Sequence, residues 1–112
     1  MSQPDTFGAD PSVRAMRRVF AAVEAAQAEL LARLGVSALD PELRAWREGA
    51  LRLFQAAWPR AAAQGLVRGP EQAARLYLLA LGRALASAGR PVPPGELPVD
   101  PDLERVLGEV AR

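Results

Sequence analysis

The stretch from Pro70 to Ala88, PEQAARLYLLALGRALASA, limits what this chain can fold into more than any other. Gly69-Pro70 opens it as a helix, because proline fits the first turn, where its missing N–H has no intrahelical acceptor to lose. Gly89 closes it with a residue that readily turns left-handed. Ala73, Leu76, Tyr77, Ala80, Leu81, Ala84, Leu85 and Ala88 recur at helical spacing. Leu78 and Leu79 widen the apolar surface to most of the circumference. Arg75, Gly82 and Arg83 remain as its polar side. A helix so apolar belongs at the centre of a bundle or against a partner.

The same punctuation recurs along the chain. Asp10-Pro11, Asp40-Pro41 and Asp100-Pro101 each place a capping carboxylate before a first-turn proline. With Gly69-Pro70 they predict four helices, over about 11–34, 41–64, 70–88 and 101–111. Met1 to Ala9 reads as a tail that Phe7 alone could anchor. Residues 10–112 read as a single helical domain. The expected architecture is all-α, a small bundle of three long helices and a short C-terminal helix. Residues 89–99 hold four prolines, in Arg90-Pro-Val-Pro-Pro-Gly-Glu-Leu-Pro, and form an extended strap rather than helix. Val92, Leu97 and Val99 are its available anchors.

The first helix carries the stripe Val13, Met16, Phe20, Val23, Gln27, Leu30, Leu34, in alternating steps of three and four. Val19 and Leu31 broaden it, and Gly35 ends it. Gln27 interrupts the stripe; as a polar seam residue it could fix register or oligomeric state, but the simpler expectation puts it at the bundle edge, reaching water. In the second helix, Leu43, Trp46, Ala50, Leu51, Leu53, Phe54, Ala57, Trp58 and Ala61 form a broad apolar arc. Pro59 cannot donate to the Gln55 carbonyl and predicts a kink or break near Trp58. Glu48–Arg52 and Glu71–Arg75 are spaced for i,i+4 ion pairs. The last helix, with Leu103, Val106, Leu107 and Val110 on one face, is too short to stand alone.

Half of the residues are hydrophobic and the net charge is +1, so no global field draws the chain to nucleic acid or acidic lipid. All 14 cationic side chains are arginine, a mark of GC-rich coding bias rather than of arginine-specific work. Histidine, cysteine and lysine are absent. The usual metal ligands and nucleophiles are therefore missing, and neither a metal nor a cofactor is expected. The carboxylates Asp40 and Glu42, and Asp100, Asp102 and Glu104, sit at helix starts, where capping explains them. Gly65-Leu-Val-Arg-Gly69 is too short for a phosphate loop. The chain is not expected to be an enzyme. A polar opening and no long apolar run predict a cytoplasmic protein without membrane insertion.

Two features suggest contacts. Arg14, Arg17 and Arg18 oppose the dipole of the first helix and could meet an anion or acidic partner; a plain solvated basic face explains them more simply. Trp46, Phe54 and Trp58 could form a docking anchor, against ordinary core filling. Arg47 lies within the same arc: if buried it needs a carboxylate partner or an interface, and otherwise it can snorkel out over an indole ring. The leading expectation is an interaction module that forms a homodimer or docks to a larger protein. The candidate interface comprises Phe20, Val23, Gln27, Leu30, Leu34, Trp46, Arg47, Phe54, Trp58 and Leu79. Weak nucleic-acid binding through the arginines, and an apolar ligand among Trp46, Phe54, Trp58 and Tyr77, are the alternatives.

Overall fold

The computed structural model describes residues 11–111. Helix α1 spans Pro11–Arg33, α2 Leu43–Ala63, α3 Pro70–Ser87 and α4 Pro101–Val110. A single 3-10 turn, Pro94–Glu96, lies in the strap between α3 and α4. Among the described residues there is no strand, and the chain is an all-α bundle of three long helices and one short one.

Three glycines stop the three long helices by one device. Gly35, Gly65 and Gly89 adopt φ of 72°, 72° and 80°. Each end then makes the paired bonds of a left-handed cap. The Val36 amide donates to the Leu31 carbonyl at 2.9 Å and the Gly35 amide to Ala32 at 3.1 Å. Leu66 and Gly65 repeat this on Ala61 and Ala62, and Arg90 and Gly89 on Leu85 and Ala86.

The Asp-Pro starts diverge from one another. Asp100 caps α4, its Oδ1 accepting from the Leu103 amide at 3.2 Å. Asp40 instead accepts from the Glu42 amide at 2.9 Å, two residues on. That bond closes a turn over residues 41–42, so α2 begins at Leu43 rather than at Pro41. Asp10 and Phe7 lie outside the described residues. Pro59 does not break α2, which runs through it to Ala63. Pro59 and Gln55 are both exposed, so water can take the carbonyl that the proline leaves without a donor.

Helix α3 is the hub, packing against α1, α2 and α4, while α4 also lies on α2. Its Leu76, Tyr77, Leu79, Leu81 and Leu85 are buried. Small residues let α2 approach it closely: Ala50, Ala57, Ala61, Ala73 and Ala80 are fully covered. An added Cβ on Gly49 would meet the Ala84 Cβ at 3.6 Å. Helix α4 docks on its own chain through Leu103, Val106 and Leu107. Arginines from α2 and α3 ring that contact, with Arg60–Glu109 at 3.3 Å, Arg83–Glu104 at 3.6 Å and Arg75–Asp100 at 3.9 Å.

Several local expectations are corrected by packing. Arg75 turns to Asp100 rather than to Glu71, and Glu48 pairs with Arg44 rather than with Arg52. Val99 is exposed and pins nothing. Gly82 is buried, not part of a polar side, because Leu97 of the strap sits on it. A Cβ at position 82 would lie 2.6 Å from Leu97 Cδ1. The strap is further tied down by Glu96, which accepts from Arg33 Nε at 2.8 Å. Gly82→Ala should therefore displace the Leu97 methyls, cancelling a helix-propensity gain of about 1 kcal/mol. Methyl NMR of Leu97 should show the shift with global stability changed by less than about 1 kcal/mol. An unmoved Leu97 signal would refute the contact.

No helix among the described residues is long and apolar enough to cross a membrane.

Candidate functional site

Helices α1 and α2 each pack on α3 but scarcely touch each other. Between them lies a groove of about 560 Å³. Val19, Phe20 and Val23 form one wall, Leu43, Leu51 and Phe54 the other, and Tyr77 lies beneath. Asp40, Arg44 and Glu48 add charge along the α2 side. The Arg47 guanidinium reaches Glu24 at 3.3 Å and so joins α2 to α1 across the opening.

The apolar stripe of α1 divides at this groove. In its second half Val23, Gln27, Leu30 and Leu31 are buried against the bundle. In its first half the same stripe is open: Met16 is 51% exposed and Phe20 57%. Across the groove Leu51 is 41% exposed. The open strip continues on the outer side of Met16 and Val19 into a shallow hollow with Trp58, Val67 and Pro70. One helical face is thus core at one end and surface at the other, where it borders the groove.

The predicted interface residues sort accordingly. Phe20 is open to solvent, and Phe54, Trp58 and Leu34 are half-buried. Val23, Leu30, Trp46 and Leu79 are covered within the chain and offer little surface to a partner. Gln27 does not reach water. It is buried, and its Oε1 accepts from the Tyr77 hydroxyl. This pair satisfies two polar groups in the interior and ties α1 to α3. Arg47 is half-exposed and finds Glu24 rather than an indole ring.

The aromatic cluster is also rearranged. Phe54 meets Trp58 edge-on at 5.4 Å and Tyr77 at 5.7 Å. These three rings form a chain from the surface to the buried Gln27. Trp46 belongs elsewhere, capped by the Arg90 guanidinium 4.9 Å from its ring centre. Arg90 is held there by Asp40 at 3.4 Å. Sequence reasoning missed Met16, Val19, Leu51 and Glu24 as parts of the open face. Val19 and Leu51 carried a signal, since each widens an apolar arc beyond what one neighbouring helix can cover.

Arg14, Arg17 and Arg18 are exposed on the open half of α1. Among the described residues no carboxylate pairs with Arg17 or Arg18, whereas Arg14 does have a contact. The carboxylates at helix starts are engaged structurally. Asp100 caps, Asp102 pairs with Arg105 at 3.7 Å, and Glu104 and Asp40 hold arginines. No group of three acidic side chains among the described residues could hold a metal ion.

Burial pushes the Tyr77 phenol above its ordinary value near 10, and nearby Glu24 adds to the shift while Arg47 opposes it. The folded state thus holds this proton more tightly than the unfolded chain. Its stabilising contribution is complete below pH 10 and is lost as pH rises through the folded value. Lysine, cysteine and other tyrosines are absent, so no other side chain titrates in that range. Urea denaturation between pH 9 and 11.5 should show stability falling by up to about 1.4 kcal/mol per pH unit above pH 10. Tyr77→Phe should flatten the profile. Parallel profiles for both proteins would refute the assignment.

Comparison with family models, with curated proteins and with solved structures found no match for this chain.

Proposed function

We propose that this protein is a cytoplasmic, non-enzymatic interaction module that receives an amphipathic helix in the groove between α1 and α2. One observation carries the reading: Phe20 and Leu51 stand open to solvent along a groove whose walls are apolar, and exposed Met16 extends the strip into the adjoining hollow. Helix-in-groove recognition uses such a trough, with anchors at helical spacing and charges at the rim. The rim supplies both signs, through Glu24, Arg44, Arg47 and Glu48. Protein is favoured over nucleic acid because the opening is apolar and the chain has a net charge of only +1.

A photocrosslinking residue at position 20 tests this, with a second at Gln64, exposed at the C-terminal end of α2. Position 20 should give one discrete protein adduct, either to the chain itself or to a single other protein. Equal, diffuse labelling from both positions would refute the groove as an interaction site.

A further inference from the structure

We infer that the occupant of the groove is a second copy of this chain, laid antiparallel so that the open half of each α1 lies in the groove of the other. The inference rests on the interaction reading above and adds the partner and its orientation. Three features of α1 support it.

Phe20 is at once an exposed anchor and a wall of the groove. A surface that is both ligand and receptor satisfies the isologous contact of a twofold dimer, in which the same patch serves both subunits. Phe20 also lies near the middle of Pro11–Arg33, so a twofold axis beside it overlaps both helices over several turns. Two copies would bring Phe20 against its counterpart and cover Met16 and Leu51. The resulting pair of α1 helices would fill the gap left because α1 and α2 do not pack on each other.

Charge sets the direction. Arg17 and Glu24 are about two turns apart and therefore flank Phe20 on one side of α1. Arg17 has no carboxylate among the described residues. Glu24 is 64% exposed and its bond to Arg47 uses one oxygen. A carboxylate accepts several donors, so it can serve Arg47 and a second arginine together. Antiparallel helices place each Arg17 toward the Glu24 of the other copy. Parallel helices would stack arginine on arginine and glutamate on glutamate. Antiparallel pairing also opposes the two helix dipoles favourably.

The test is sedimentation equilibrium of the full chain from about 1 to 200 µM, with circular dichroism to confirm the fold. The wild type should dimerise in this range. Phe20→Glu should stay helical and raise the dissociation constant by at least about tenfold, as burying an unpaired carboxylate at the seam must. Arg17→Glu and Glu24→Arg should each weaken the dimer, and the double variant R17E/E24R should regain affinity relative to E24R, which shares its loss of the Arg47 bond, by pairing Glu with Arg across the axis. A dimer that loses affinity with Phe20→Glu but is not rescued by the double variant refutes the antiparallel arrangement and keeps the groove. A dimer indifferent to Phe20→Glu refutes the groove as its seam. A wild type that stays monomeric at 200 µM refutes self-association, and a discrete heterologous adduct at position 20 would then leave the interaction reading standing.

Discussion

Leu79→Ala should lower the stability of the isolated chain by about 2–5 kcal/mol, the range for removing a large aliphatic side chain from a closed interior. Leu79 is 2% exposed on the central helix, in a core shared by α1, α2 and α4. A chain of this size has about 5–15 kcal/mol in total. The variant therefore loses a large share of its margin and should melt many degrees lower. Leu51→Ala is the control, since Leu51 is 41% exposed. It should cost less than about 1 kcal/mol in the monomer. Thermal unfolding of both, followed by circular dichroism at low micromolar concentration, decides the matter. Equal destabilisation would mean that the core is not organised around α3 as described.

The Tyr77–Gln27 pair should behave as a unit. Tyr77→Phe removes the donor and leaves the Gln27 oxygen in a closed interior. Gln27→Leu strands the hydroxyl. Each should cost about 1–3 kcal/mol, the penalty for an unsatisfied buried polar group. Replacing both members removes the penalty with its cause. The double variant Q27L/Y77F should thus lie within about 1 kcal/mol of the wild type. Urea denaturation of the four proteins at pH 7 measures the coupling by a double-mutant cycle. Simple additivity of the two single losses would show that the hydroxyl and the amide do not depend on one another. Because the pair sits between α1 and α3, its loss should also loosen the docking of α1, visible as faster amide exchange along residues 23–31.

Helices and their stops were legible because their causes are local. Gly35, Gly65 and Gly89 end helices by a backbone conformation that favours glycine, whatever lies nearby. The strap between α3 and α4 follows from proline chemistry alone. The central position of α3 followed from its apolar circumference. The site was only partly legible. The residues that could associate were visible as a stripe on α1 and an arc on α2. Which of them stayed open was not, and Leu30 and Phe20 look alike in that stripe while their exposures are 0% and 57%.

Spacing and chemistry along the chain determined the all-α class, the helix boundaries to within a turn, and the surplus of apolar helix surface. Those quantities depend on neighbours within a few residues. The tertiary arrangement alone decided that Phe20 faces Leu51 across an open groove, that Gln27 turns inward to Tyr77, and that Gly82 receives Leu97. Each of these joins residues at least 15 positions apart. Periodicity reports only the direction in which a side chain leaves its own helix. Whether anything stands in that direction is set by how the other helices pack.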